Sequence, residues 1–224
     1  MQYRNEIKHI ITASDRLLLA QTLGAVLQTD PYHAEDGGRY RIRSLYFDDP
    51  YDRALREKLD GVSEREKFRL RYYNGDTSMI RLEKKLKKGG LGCKISADVT
   101  EEEARRIAQG DIIWMKDSGR ALLVELYAKM RAGLRPRTIV DYTRMAFVYP
   151  PGNVRVTLDY DIRTALRRTD FLNPDCPTIP AGEPVTVLEV KWDEYLPSVI
   201  RDAIQLTGRR SSGFSKYAQC RIYD

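Results

Sequence analysis

Charged side chains fall on every second residue over several extended stretches of this sequence. Successive side chains of a β-strand point to opposite faces, so residues i, i+2 and i+4 share one side. Residues 65–71 then place Arg65, Lys67, Arg69 and Arg71 on one face, with Phe68, Leu70 and Tyr72 on the other. Four like charges spaced about 7 Å apart along a face repel one another. Alone, such a strand reads as a solvated outer face.

The same parity recurs, and that changes the reading. Arg4, Glu6 and Lys8 share a face. Arg81, Glu83, Lys85 and Lys87 lie opposite Ile80, Leu82 and Leu86. Tyr142 and Arg144 go together. Arg155, Thr157, Asp159 and Asp161 oppose Val154, Val156, Leu158 and Tyr160. Val187, Glu189 and Lys191 oppose Leu188, Val190 and Trp192. Helices cover sheets with apolar faces, so the apolar sides meet helices outside. The charged sides then either line the inside of a closed barrel or form the wet face of an open sheet. A lumen filled with Arg, Lys and Glu needs a polyanion, usually with metal ions, to balance it.

The other signals fit an α+β fold. Extended segments are expected near 3–11, 39–48, 64–73, 78–88, 93–99, 137–148, 153–161 and 184–192. Asn74-Gly75-Asp76 is a strong hairpin signal. Helices are expected from Ser14 to about Gln28, with Leu17, Leu18, Leu23, Val26 and Leu27 as the apolar side. Others are expected over 50–59, from a Thr100/Glu103 capping box to Gly110, over 118–131 and near 196–206. Asp48-Asp49 before Pro50 reads as a turn and helix cap rather than a metal pair. Residues 173–184 read as a long loop between two strands. Hairpin-style joints make the sheet largely antiparallel, and closing eight strands into a barrel would remove the edges. No repeat or linker divides the chain, so residues 1–224 read as one domain.

Composition narrows the function classes. The chain has 38 Lys and Arg against 32 Asp and Glu, a net charge of +6, which favours an anionic partner. Cys93, Cys176 and Cys220 are far apart, without metal-type spacing. A reducing, cytoplasmic setting is the simplest expectation. Only His9 and His33 are present, which disfavours a His-based metal site or triad. No run approaches a membrane span, and the charged start does not resemble a secretory leader. Trp114 and Trp192 read as packing residues, and Lys84 and Lys88 as solvated.

Seven short motifs carry a family resemblance. In order they are Glu6-Ile7-Lys8, Arg65-x-Lys67-x-Arg69-x-Arg71, Leu82-Glu83-x-Lys85, Tyr142-x-Arg144, Val154-Arg155-Val156-Thr157-x-Asp159, Leu188-Glu189-Val190-Lys191 and Ser215-Lys216-Tyr217. Together, from about residue 3 to residue 221, they resemble the VTC domain. That domain is the catalytic module of the vacuolar transporter chaperone polyphosphate polymerases, in the triphosphate tunnel metalloenzyme or CYTH-like superfamily. Ser44-Leu45-Tyr46-Phe47-Asp48, Tyr51 and Lys58-x-x-Gly61 also resemble this family.

The resemblance implies an eight-stranded antiparallel β-barrel tunnel with helices packed outside. It implies a polymerase that transfers the γ-phosphate of ATP onto inorganic polyphosphate with Mn2+ or Mg2+ and releases ADP. Arg69, Arg71, Arg144, Arg155 and Lys85 would stabilise charge on the transferring phosphate. Lys8, Lys67, Lys94, Tyr142, Lys191, Ser215 and Lys216 would hold the phosphate chain. Glu189 would be the principal metal ligand. Glu6 and Glu83 would either ligate metal or orient neighbouring cations. The hydrolytic branch opens with two alternate glutamates, and here Arg4 occupies the first position. That departure favours polymerase over hydrolase. A triphosphate or tripolyphosphate hydrolase and a non-catalytic polyanion-binding module are the rival readings. No nucleic-acid partner is expected, because the glutamates among the cations would repel its backbone. A membrane or regulatory partner subunit is compatible with the family.

Overall fold

The computed structural model describes residues 3–30, 38–205, 211 and 213–222. His33 and residue 206 lie outside that set. In chain order the elements are β1 (Asn5–Ile11), α1 (Ala13–Val26), β2 (Gln28–Thr29), β3 (Arg39–Asp48), α2 (Arg53–Leu59), β4 (Arg65–Tyr73), β5 (Asp76–Lys88), β6 (Leu91–Val99), α3 (Glu101–Gln109), α4 (Ala121–Arg131), β7 (Arg135–Tyr149), β8 (Val154–Thr164), β9 (Ile179–Pro180), β10 (Thr186–Trp192), α5 (Ser198–Ala203) and α6 (Lys216–Cys220). A 3₁₀ turn over Ile113–Asp117 precedes α4.

Local chemistry explains many boundaries. Asn74 and Gly75 both have positive φ, as do Gly89 and Gly90. Each pair forms a two-residue hairpin of the mirror-image type that matches strand twist, joining β4 to β5 and β5 to β6. Thr100 and Glu103 form the expected capping box, and Gly110 ends α3 at φ 81°. Asp48 accepts bonds from the amides of Ala54 and Leu55, and Asp49 from those of Tyr51 and Arg53, so this acidic pair caps α2. The cap of α1 is Thr12 with Asp15, not Ser14.

One antiparallel sheet runs in the order β1-β10-β8-β7-β3-β4-β5-β6, with β2 on β7 and β9 on β8. It curls until its two edge strands meet. The Arg4 and Gly92 backbones bond to each other in both directions, at 3.0 and 3.2 Å. This is the expected eight-stranded barrel, joined at its seam by one bridge.

The apolar strand faces point outward. Leu45, Phe68, Leu70, Ile80 and Leu82 pack under α3, α4 and the 3₁₀ turn. Val156, Leu158, Leu188 and Val190 pack under α1 and α5. A third cluster, not expected from the pattern, fills one end of the lumen: Ile42, Tyr46, Val140, Ile162 and Val187 meet Tyr217 and Cys220 of α6. Trp114 and Trp192 pack against the outer clusters. Among the described residues no helix is long and apolar enough to cross a membrane.

Three expectations need correction. Leu17, Leu18 and Val26 are exposed, and the buried side of α1 is Leu19, Leu23 and Leu27. The helix phase set by Thr12 places them so. Asp161 does not face the lumen. At φ 50° it sits in a bulge where β8 gains a residue on β7, which turns it to solvent and sends Ile162 inward. Lys84 is not solvated. It is buried on the outer face and paired with Glu66 at 2.8 Å and with Glu125.

The outer face also buries Arg43 against Asp141, with Nη2 to Oδ2 at 2.8 Å, and Arg43 Nη1 donates to the Asn173 carbonyl at 2.6 Å. That pair anchors the long loop before β9. Asp141→Ala leaves the guanidinium buried without its partner, and is expected to destabilise the fold by about 3–5 kcal/mol. The urea midpoint of the variant measures it. The double change Arg43→Met with Asp141→Leu should recover most of the loss.

Candidate functional site

The lumen holds a cavity of about 980 Å³. That is the upper end of the roughly 300–1,000 Å³ range of sites that enclose a small-molecule ligand. Every strand of the main path contributes to its wall through the period-two alternation. Of the residues the sequence nominates, Glu6, Lys8, Lys67, Arg69, Arg71, Lys85, Lys94, Tyr142, Arg144, Arg155, Glu189, Lys191, Ser215 and Lys216 all line the cavity. Glu83 lies beneath them, 1% exposed.

The charges sort into three groups. On the first wall, Lys8 Nζ lies 2.9 Å from Glu6 Oε1 and 3.1 Å from Glu189 Oε2. Lys85 reaches Glu6 at 3.0 Å, and Lys191 reaches Glu189 at 2.7 Å. β1 and β10 are registered Lys8 opposite Glu189 and Glu6 opposite Lys191, which builds this alternating square. Burial would raise the Glu189 carboxyl, but Lys191, Lys8 and Lys85 hold it well below the ordinary range. Burial, with Glu189, would likewise raise Glu6, and Lys85, Lys8 and Lys191 hold it down.

On the second wall, Glu83 accepts from Arg69 Nε at 2.7 Å and from Lys94 at 2.8 Å. Arg71 lies deeper, donating to Ser44 Oγ at 2.9 Å and to Tyr142 Oη at 3.1 Å. On the third, Asp159 takes a two-pronged grip from Arg144 at 2.6 and 2.8 Å, and Lys216 of α6 at 2.5 Å. Burial opposes ionisation of Asp159, yet Arg144 and Lys216 bring its pKa to about 2. Lys216 also lies 4.7 Å from the Tyr142 ring centre. Ser215 caps α6 through the Ala218 amide, at 3.3 Å. Arg155 sits nearer the rim, donating to Asp30 at 2.5 Å and to Tyr40 Oη at 3.0 Å.

Several participants were not nominated. Asp159 shares the inward parity of Arg155 and lies in the same motif, so its role was readable. Tyr46 accepts from Arg69 Nη1 at 2.8 Å and stacks on Tyr217 at 5.1 Å. It too lay within a quoted motif. Asp30 follows β2 and carried no signal, because it lies outside any alternating stretch.

Lys67 is a weakly compensated cation of the lumen. Among the described residues it forms no ion pair, and its ammonium lies 5.6 Å from the Tyr46 ring centre. Burial, then Lys8 and Arg69, lower its pKa to about 8. Burial would raise the Tyr46 phenol, but Arg69, Lys67 and Arg71 pull it down to about 7.

Glu6 and Glu189 face each other across one ammonium. Hard divalent cations take oxygen ligands from one or two carboxylates and from substrate phosphates, and this pair supplies that donor set. Glu83 is spatially separate and engages the Arg69 wall instead. Among the described residues, no group of three or more His, Cys, Asp or Glu could hold an ion by itself.

A barrel whose lumen is charged and whose outer faces are apolar defines the triphosphate tunnel class of fold. The sequence matches the VTC domain family over residues 3–222, and the chain belongs to that family. No curated protein matches it. Among solved structures, the PH1012 protein of Pyrococcus horikoshii is similar at TM-score 0.54 and 13% identity, over 97% of this chain and 99% of that one. A candidate adenylate cyclase from Bacillus halodurans is similar at TM-score 0.52 and 13% identity, over 85% of this chain and 80% of that one. At such identities the likeness is one of fold.

The electrostatics give a signed expectation. A polyanion in the lumen favours the ammonium form of Lys67 and the neutral phenol of Tyr46, and both forms carry the proton. Binding of tripolyphosphate at pH 8 should therefore take up protons, with the uptake fading toward pH 6. Titration calorimetry in buffers of different ionisation enthalpy measures it. Lys67→Met should reduce the uptake, and an unchanged value would refute the assignment.

Proposed function

We propose that this chain is a metal-dependent phosphotransferase that moves the γ-phosphate of ATP onto a growing inorganic polyphosphate chain and releases ADP. The observation that carries the reading is the charge arrangement of the lumen. Cations from all walls converge on one cavity, each group organised by a buried carboxylate, and the cations outnumber those carboxylates. Such a lumen is preorganised for a linear polyanion and leaves a positive excess for it.

Phosphoryl transfer asks the protein mainly for positioning and charge stabilisation. Arg69 and Arg71 present forked donors held from behind by Glu83, Tyr46 and Ser44, so they need little reorganisation to grip phosphate oxygens. Arg144, fixed by Asp159, and Lys216 approach from the facing wall. Arg155, with Tyr40, guards the rim. Lys8, Lys85, Lys94 and Lys191 supply point charges along the path that reduce repulsion between donor and acceptor phosphates. Glu189, with Glu6, would hold Mn2+ or Mg2+, and Tyr142 would border the phosphate chain. When bound there, the ion would supply Lewis-acid stabilisation of the charge on the transferring phosphate. The terminal phosphate of the acceptor is largely ionised near neutral pH, so no general base is required. Arg4 replaces a carboxylate on the first wall, which favours transfer to phosphate over a two-metal hydrolysis.

The test is incubation of the purified protein with ATP and Mn2+, with polyphosphate followed on gels and free phosphate measured in parallel. Chains with ADP are expected. Phosphate without chains would replace the reading with hydrolysis, and bound ATP without turnover would replace it with a binding module. Glu189→Gln should abolish metal-dependent turnover while far-ultraviolet circular dichroism stays unchanged. Arg69→Ala or Arg71→Ala should lower the rate by roughly 100-fold or more. Arg168→Ala, an exposed change near Asp170, should leave it unaltered.

A further inference from the structure

Each of the three charge groups of the lumen is organised by a buried carboxylate, and one further stretch of the same cavity has none. Lys58, Arg65 and Lys87 line the cavity together with Arg69 and Arg71. All three are half-buried. Among the described residues none of them forms an ion pair. The glutamates around them are committed elsewhere: Glu57 to Arg53 at 2.8 Å, Glu64 to Lys88 at 3.1 Å, and Glu66 to Lys84 at 2.8 Å and to Lys129. Asp60 is exposed.

The fold holds these cations close together. Arg65 stands directly opposite Lys87 in the β4–β5 pairing, next to Lys67 opposite Lys85. Like charges directly opposite in a sheet repel. Lys58 reaches in from α2: a Cβ on Gly213 would stand 3.2 Å from its Nζ, so the ammonium lies against the segment that leads into α6. Burial, then Arg65, Lys8 and Lys87, lower its pKa, and every charged neighbour acting on it is a cation. Such a cluster opposes folding, and a bound anion relieves it.

The cluster also continues a row. Arg71, Arg69, Lys67 and Arg65 share one face of β4, about 7 Å apart in succession and about 20 Å from first to last. Glu83, Tyr46 and Ser44 brace the two deeper arginines. Lys67 and Arg65 have no carboxylate behind them; Arg65 donates to the Val62 carbonyl of its own loop. The row is longer than a triphosphate. It runs along the wall of a cavity and not across an outer face, which suits a thread of phosphates better than a nucleic acid with its bases.

Resting on the reading of the lumen as a phosphate-chain site, we propose that Lys58, Arg65 and Lys87 form, with Lys67, an arm that holds the phosphate chain beyond the units gripped by Arg69 and Arg71. The arm gives the protein a preference for long inorganic polyphosphate over a triphosphate. Its cations carry no counter-charge of their own, so each is free to meet a phosphate oxygen.

The probes are tripolyphosphate and long-chain inorganic polyphosphate, each titrated by calorimetry into the purified full chain. The combined variant Lys58→Gln, Arg65→Gln and Lys87→Gln should bind the long chain roughly 10-fold or more weakly, with a shallower salt dependence. Tripolyphosphate should keep its affinity at 0.15 M salt, because Arg65 lies about 14 Å along β4 from Arg69 and the screening length is about 8 Å. The melting temperature should hold or rise, since the change removes mutual repulsion. Lys58→Gln alone, outside the sheet, should shift the long-chain affinity in the same direction and serves if the combined variant does not fold. Equal losses for both probes, or no loss for the long chain, would overturn the arm. So would single-stranded DNA displacing the long chain as well as polyphosphate itself does. Arg69→Ala is the reference and should weaken both probes; if it weakens neither, the reading of the lumen fails and the arm with it. If the arm variant behaves as expected while ATP and Mn2+ yield no chains, the polymerase reading fails and the arm stands.

Discussion

Buried ammonium and guanidinium groups do not stay side by side unless carboxylates stand among them. Glu6, Glu83, Asp159 and Glu189 do that here, and the rest of the barrel follows from it. Each is nearly withdrawn from solvent, and each is held ionised by at least two cations. The coupling is mutual. Burial opposes the charge on Lys8, yet Glu189 and Glu6 raise its pKa above the ordinary lysine value. Where fewer carboxylates stand within reach the balance reverses: burial, then Lys8, push Lys85 well below the ordinary value despite its bond to Glu6, and Lys67, with no ion pair among the described residues, falls as well. The lumen is therefore neutralised unevenly, and the shortfall lies where β4 and β5 face β1. Buried ion pairs of this kind are weak evidence for stability. They are better understood as a held-open arrangement of charge, with the outer apolar clusters supplying the stability.

Much of the fold was legible because a strand side chain has only two directions to choose from. Once several strands place charge on one parity and Val, Leu or Phe on the other, the apolar sides must meet helices and the charged sides must meet each other. Whether that charged face closes or stays open was not legible. Closure depends on two edge strands meeting at Arg4 and Gly92, and no local pattern encodes a contact between residues so far apart in sequence. The parity rule also failed locally where the backbone changed its count. The bulge at Asp161 exchanges an acidic residue for Ile162 on the inner face. Helix α1 failed for a different reason: Leu17, Leu18 and Leu19 are consecutive, and only the phase fixed by the Thr12 cap decides which is buried.

The site was legible to the extent that its residues lie on alternating strands. Arg69, Arg71, Lys85, Arg144, Glu189 and their companions reach one cavity because the period-two rule places them there. What holds them was less visible. Tyr46, Ser44 and Asp159 act on arginines through cross-strand register, which the sequence does not print. Register turns pairs of residues into units: Tyr46 opposite Arg69, Ser44 opposite Arg71, Arg144 opposite Asp159. The contribution of α6 was hidden more deeply. Its five residues are too short for a periodic signal, and Ser215 and Lys216 were recognisable through resemblance alone.

Arg4 shows how one residue can serve closure through its backbone and its side chain together. A carboxylate at this position would sit near Glu6 and add negative charge to the first wall. The arginine instead bonds Asp193 at 2.7 Å and Asn153, while its backbone makes the seam bridge to Gly92. Its side chain ties the start of β1 to the segment after β10 and to the β7–β8 turn at the moment its backbone joins β1 to β6. The residue whose backbone bridges the seam is thus also the one whose side chain fastens the strand ends around it.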